Sequence, residues 1–253
     1  MAPSPTPEAR RRTPGAIRRM FEAVAPGYDR MNRILSLGLD QGWRRQTLAA
    51  LDLPARARML DLCCGTGDLA LLTPETLRTV GCDFTPAMLG IARAKGRAAG
   101  RPLPLLAGDA MRLPLRSGVF DAVVVGFGVR NLPDLHVAGR EIRRVLAPGG
   151  QLGVLEFSRP RGAAARMGHR LFLRFAVPAL ARLSWSGTEA YGYLSDSILE
   201  FPAPETLRDH LVACGFDSVR WRALSLGAVA VHTARNPGKP KAVGVAAHHG
   251  SGM

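Results

Sequence analysis

Lysine is almost missing from this chain. Of 34 basic residues only Lys95, Lys239 and Lys241 are lysines, and against 20 acids the arginines leave a formal charge of +14. Such an excess points to an anionic partner, either nucleic acid or an acidic membrane surface, or else to an arginine-favouring base composition. Cysteine is sparse too, at Cys63, Cys64, Cys82 and Cys214. None has metal-ligand spacing, and the adjacent pair suits neither an ordinary disulfide nor a tetrahedral site, so reduced thiols are expected. No apolar run reaches the roughly 18 residues of a spanning helix. The Pro- and Arg-rich N-terminus has no apolar signal-peptide core. Internal repeats are absent. These absences leave a cytoplasmic protein, soluble or lying on a membrane surface. With 253 residues, 47% of them hydrophobic, one large domain with a proper core is expected.

The chain is organised around residues 59–70, MLDLCCGTGDLA. A short apolar run breaks at Gly65 and Gly67 and continues in residues suited to opening a helix. Glycines let backbone approach a ligand closely. Alone the pattern is weak, because it also satisfies the loose dinucleotide fingerprint. Two acids sharpen it. Asp61 stands four residues before the first glycine, and Asp83 ends the next strand-like run, about 20 residues on, where a carboxylate can accept from ribose hydroxyls.

Strand-like runs fall at 58–62, 79–82, 103–106, 120–125, 151–157, 218–224 and 228–233, with helical stretches at 68–72, 86–99, 135–146 and 204–214. This alternation predicts an α/β fold, a mostly parallel seven-stranded sheet with helices on both faces. The link at 225–227 is too short for a parallel crossover, so the last two strands form a hairpin and one runs antiparallel.

Residues 1–15 read as a disordered basic arm and 236–253 as a disordered tail around one domain at 16–235. Within the domain, 16–57 is expected to form a helical lid. It opens with a helix near 16–25 and continues at 28–43, where apolar periodicity coexists with Tyr28, Asp29, Asn32, Ser36 and Asp40. A helical insertion over the substrate site is expected at 161–203. Its first part repeats Arg166, Arg170 and Arg174 beside Leu171, Phe172 and Phe175, either a membrane-seeking basic helix or an ordinary helix with a solvated arginine face.

The order of DLCCGTG (61–67), Asp83, Asp109-Ala110, Phe120-Asp121 and RVLAPGG (144–150) resembles the Rossmann-like class I S-adenosylmethionine-dependent methyltransferases. YDRMNRILSLGLDQGWR (28–44) and RVLAPGGQLGVLEFS (144–158) resemble the two signatures of the menaquinone/ubiquinone biosynthesis C-methyltransferase family, and GFGVRNLPD (126–134) and AYGYLSDSI (190–198) are similar to it as well. The resemblance covers about residues 17–233 and implies S-adenosylmethionine as cofactor, with no metal. It implies cofactor contacts from Asp61, Gly65, Thr66, Gly67, Asp83, Asp109, Ala110 and Gly126. Asp83 would take the ribose hydroxyls, and Asp109 with the Ala110 N–H would take adenine. Gly126 stands where family members often carry serine, Asp40 where they usually carry histidine, and Ala147 where they usually carry lysine.

The same resemblance implies C-methylation of a polyprenylated quinol ring, demethylmenaquinol to menaquinol, or a benzoquinol in ubiquinone biosynthesis. Arg130 and Asn131 would bind the quinol oxygen, with Tyr28 and Tyr193 holding the second hydroxyl or walling the ring. A tailed substrate implies work at the inner face of the membrane, as a homodimer or within a quinone-synthesis complex. An RNA or small-metabolite methyltransferase on the same fold and a non-catalytic scaffold are the competing readings. No RNA-binding module is visible, and no nucleic-acid partner is expected.

Overall fold

The computed structural model describes residues 13–158, 160, 162, 167–168, 171, 174 and 188–238. Most of the N-terminal arm and tail, and Arg166 and Arg170 of the insertion, lie outside them.

Seven strands form one sheet: β1 (Arg58–Leu62), β2 (Arg78–Asp83), β3 (Leu105–Ala107), β4 (Phe120–Gly126), β5 (Leu146–Phe157), β6 (Asp217–Leu224) and β7 (Val229–Arg235). Their order is β3-β2-β1-β4-β5-β7-β6. All neighbouring pairs from β3 to β5 are parallel, and β7 runs antiparallel to both β5 and β6. The hairpin expected from the short link is therefore present, and β7 is its reversed strand. β5 starts earlier than expected, because Leu146 already pairs with Phe120 before a register shift at the Pro-Gly-Gly turn. A Cβ on Gly150 would stand 2.8 Å from the Ala147 carbonyl, so that turn needs glycine.

β4 shows why the sheet sits between layers. Val123 and Val125 face one core with Ile142, Leu207 and Leu211. Ala122 and Val124 face the other, with Leu51 and Leu69. A strand covered on both faces has no polar side, which is why it reads as a continuous apolar run. Each such valine contributes about 1.5–3 kcal/mol by leaving water.

The helices are α1 (Pro14–Val24), α2 (Tyr28–Leu35), α3 (Asp40–Ala49), α4 (Asp68–Leu72), α5 (Pro86–Ala98), α6 (Leu135–Val145), α7 (Thr188–Glu200) and α8 (Pro204–Ala213). Thr13 caps α1, accepting from the Ala16 N–H, and Pro14 supplies its first turn. So the first helix begins two residues inside the expected arm. Val24 and Ala25 pack with Met88 of α5, which anchors α1 over the carboxyl ends of the strands. The segment 28–43 is broken at Ser36–Leu39, where Leu37 and Gly38 both take positive φ. α3 consequently turns back onto the sheet, with Trp43 beside Leu155, Val229 and Val231. The expected 16–57 segment is therefore three helices, of which α3 packs on the sheet.

The tail is tied before it leaves the described residues. Asn236 Nδ2 donates to the Leu146 carbonyl at 2.9 Å, and its backbone exchanges bonds with Gly149 and Gly150.

Candidate active site

The sheet order reverses between β1 and β4, and ligands of open α/β sheets bind at such a crevice. A cavity with about 800 Å³ of empty space, open mouth included, lies there. Its walls include Gly65, Asp83, Asp109, Ala110, Gly126 and Tyr28, and with Asn131 seven of the sequence-derived candidates meet in one space. Phe84, Thr85, Met88 and Phe127 also form its walls and were not singled out by the sequence.

The glycine turn holds its shape through Asp83. Gly65 N donates to Asp83 Oδ2 and Thr85 N to Oδ1, each at 2.8 Å. Burial raises the Asp83 carboxyl, while those N–H groups pull it back. The Thr85 hydroxyl and the Phe84 N–H also bond this carboxyl, which lines the cavity. Gly65 and Gly67 take positive φ, and a Cβ on Gly67 would lie 3.1 Å from the Ala92 side chain. Gly67 thus serves close packing and does not line the cavity.

Two more candidates face elsewhere. The Thr66 hydroxyl, buried, donates to Asp29 of α2, and Lys95 joins Asp29 at 2.7 Å and also bonds Asp68. Asp61 Oδ2 accepts from the Ala70 N–H at 2.9 Å beneath the turn. Burial pushes the Asp61 carboxyl up to about 7, opposed by Arg44 and by that N–H. Asp61 and Thr66 support the turn and its lid, and neither lines the cavity.

Arg44 was missed, although it ends the first signature. Its side chain is 8% exposed, its Nε lies 3.7 Å from Asp40 Oδ2, and that Nε has no hydrogen-bond partner. A Cβ on Gly126 would meet Arg44 Nη1 at 3.2 Å. Glycine at 126 therefore makes room for this guanidinium behind the large cavity, whose lining does not include Arg44. Asp40 also accepts from Arg33 at 3.1 Å and from Ser36 at 3.1 Å.

A smaller cavity lies behind Tyr28 and Phe127, lined by Asn32, Ser36, Asp40, Arg44 and Arg130. A third is lined by Arg130, Asn131, Leu132, Pro133, Tyr193 and Phe201. Asn131, Leu132 and Pro133 belong to both this one and the large cavity. The Tyr193 hydroxyl donates to Asn131 Oδ1 at 3.0 Å, which brings α7 to the site.

Arg130 differs from the free oxygen-binding group expected. Its Nη1 donates to Glu156 Oε1 at 2.8 Å and to the Phe127 carbonyl at 2.7 Å, and the side chain lies over the Phe157 ring. Its Nε is buried without a hydrogen-bond partner, and Nη2 makes no hydrogen bond among the described residues. Glu156 was missed because its partner is 26 residues away and meets it only across the β4–β5 pair.

Burial raises the thiols of Cys63, Cys64 and Cys82, so none is a thiolate nucleophile near neutrality. Among the described residues no cluster of three or more His, Cys, Asp or Glu is arranged for a metal ion, and no helix is long and apolar enough to cross a membrane.

Comparison with known proteins gives this geometry a family. Residues 8–236 match the profile described as the ubiE/COQ5 methyltransferase family. The chain is 44% identical over 221 residues to the demethylmenaquinone methyltransferase of Thermus thermophilus, covering 86% of this chain and 100% of the relative. It is 41% identical over 227 residues to that of Mycobacterium bovis, covering 89% and 94%. A solved S-adenosylmethionine-dependent methyltransferase from Thermotoga maritima superposes with a TM-score of 0.65 at 19% identity over 86% of this chain and 98% of that one, a likeness of fold. The chain therefore belongs to the ubiE/COQ5 methyltransferase family and is an S-adenosylmethionine-dependent enzyme.

Proposed function

We propose that this enzyme methylates a ring carbon of demethylmenaquinol, a polyprenylated quinol, to give menaquinol. The observation that carries the reading is the shared wall of the two cavities. Asn131, Leu132 and Pro133 separate a space fitted to the cofactor from one that also holds Arg130 and Tyr193. The names of the relatives favour a naphthoquinol over a benzoquinol ring.

The residues fit the cofactor. Asp83, whose carboxyl lines the cavity, would receive the ribose hydroxyls. Asp109, whose Oδ1 accepts from the Met111 N–H at 2.8 Å, and the Ala110 N–H receive adenine. Gly65 and Gly126 would leave room for the amino-acid arm, and Arg44, whose Nη1 lies behind Gly126, would offer its charge to the carboxylate. S-adenosylmethionine supplies the electrophilic methyl group.

A quinone ring is itself electrophilic, so the nucleophile is the reduced ring, strongest as the phenolate. The Arg130 guanidinium, with Nε and Nη2 unpartnered, offers donors to the developing oxyanion, and Glu156 fixes it through Nη1. Asn131, held by Tyr193, donates its amide N–H to the same region, and Tyr28 walls the ring. Most of the rate then comes from alignment and from donors set before the reaction starts. Arginine stays protonated, so it stabilises charge, while the ring proton that the methyl group replaces passes to water and S-adenosylhomocysteine leaves. α1 and α2 act as the lid.

The test is incubation of the purified enzyme with S-adenosylmethionine and a short-tailed demethylmenaquinone, reduced with dithionite. One added methyl on the ring by mass spectrometry is expected. No product, or equal methylation of the oxidised quinone, sinks the reading.

A further inference from the structure

Two leucines stand outside the fold in a backbone conformation that leucine disfavours. Leu37, in the α2–α3 turn, has φ +52° and is 77% exposed, and Leu226, in the β6–β7 turn, has φ +57° and is 89% exposed. The left-handed region costs an L-residue energy that glycine or asparagine would not incur. Gly38 and Gly227, next in sequence, take positive φ as well, so each turn is left-handed at successive residues and glycine fills only the last. Neither leucine recovers the cost by packing inside this chain.

The two turns are neighbours. Trp43 Nε1 donates to Ser225 Oγ at 2.9 Å, and Leu39 stands one helical turn before Trp43. Leu39 is 49% exposed and Ile34 39%, so these two turns and the helix end leading into one of them carry a crown of four exposed apolar side chains. Arg30 and Arg45 are exposed on the two helices that the α2–α3 turn joins, and Arg33, paired with Asp40, and Arg222, donating to the Gln46 carbonyl, are exposed on the same elements. The acids of the same elements are engaged or distant. Asp40 is buried, Asp29 is paired with Lys95, and Asp217 begins β6 at its other end.

We propose that this crown docks the enzyme on an anionic lipid surface, with the leucines entering the headgroup–acyl boundary and the arginines meeting lipid phosphates. The shape favours lipid over a protein partner. Four side chains on two protruding turns offer far less than the roughly 1,200 Å² of a specific protein interface. Separate apolar tips on elements with exposed arginines suit interfacial insertion. Position favours it as well, because Asn32, Leu35 and Ser36 of the α2 end line the smaller cavity that reaches Arg130. A ring carried on a membrane-held tail would enter beside the docked face. The proposal deepens the quinol reading, but vesicle binding is measured without methyl transfer, so each can fail alone.

The experiment is flotation of the full chain with phosphatidylglycerol-containing vesicles, compared with pure phosphatidylcholine. The wild type should float with the former, less so as salt rises. A Leu37→Asn/Leu226→Asn variant keeps a residue tolerant of the left-handed turn. It should melt no lower than wild type and bind S-adenosylhomocysteine unchanged, yet float roughly fivefold less or worse. Arg30→Gln/Arg45→Gln should lose the preference for phosphatidylglycerol while keeping cofactor affinity. Equal flotation of the leucine variant overturns the proposal, as does a wild type that ignores anionic vesicles. A leucine variant that melts lower and loses cofactor makes the crown structural, which also overturns it. Self-association of the wild type, abolished by the same variant, would make it a chain–chain contact instead.

Discussion

Arg130 and Glu156 form an ion pair at 2.8 Å with side chains only 6% and 1% exposed, directly beside the proposed quinol position. A buried pair is costly to break because the surviving charge has no water. Glu156→Ala should therefore lower stability by about 3–5 kcal/mol, seen in chemical denaturation. Arg130→Lys keeps charge but loses the planar fork, and should lower turnover more than it raises the apparent Michaelis constant. Normal turnover in Arg130→Lys would confine this pair to holding β4 against β5.

Asp83 should dominate cofactor affinity. Asp83→Ala removes the ribose acceptor and releases Gly65 N and Thr85 N, so calorimetry should show S-adenosylhomocysteine binding weaker by about 1.5–3 kcal/mol. An unchanged dissociation constant would take Asp83 out of the site.

Arg44 is separable from Asp83 by the choice of ligand. Arg44→Gln should weaken S-adenosylhomocysteine roughly tenfold to a hundredfold, the range for a charged hydrogen bond. It should leave methylthioadenosine, which lacks the amino-acid arm, nearly unaffected. An equal loss on both ligands would show that Arg44 only supports the wall.

Asp61 predicts a pH slope. Its folded carboxyl titrates near 7 while the unfolded one titrates at 3.8. Between those values the folded state holds the extra proton, so stability falls as pH rises through that window and levels off above it. The slope from this one group is at most about 1.4 kcal/mol per pH unit. Melting of Asp61→Asn across pH 5–8 should be flatter than wild type. Parallel curves would assign the dependence to other groups.

Lys95 links lid and glycine turn through Asp29 and Asp68. Lys95→Met should raise hydrogen exchange in α2 and weaken cofactor binding about twofold to tenfold, from about 0.5–1 kcal/mol per partly exposed pair. Unchanged exchange at residues 28–35 would show that α2 is held by packing alone.

How much of this was visible in the chain follows from the range of the interactions. The glycine turn, Asp83 and the β/α alternation are local patterns, and they appear where the residues place them. The reversal of β7 followed from a link too short to cross over. The break at Ser36–Leu39 was not legible, because leucine at 37 gives no sign of a left-handed turn. Arg44 and Glu156 sit inside the quoted signatures, yet their roles depend on partners across the sheet. Thr66 and Asp61 show the converse. The motif names them as cofactor contacts, and the fold turns both toward the turn's own support.

The place of β7 bears on how the chain is made. It is the last strand synthesised, yet it fills the slot between β5 and β6. Until residues 229–235 emerge, β5 presents an open edge, with Leu152, Val154 and Leu155 along it, and β6 has no neighbour at all. An unpaired apolar strand is an aggregation hazard. A nascent chain stalled before Val229 should thus be a chaperone client even with its cofactor half already assembled. Asn236 then closes the process, bolting the new strand to Leu146 at the start of β5.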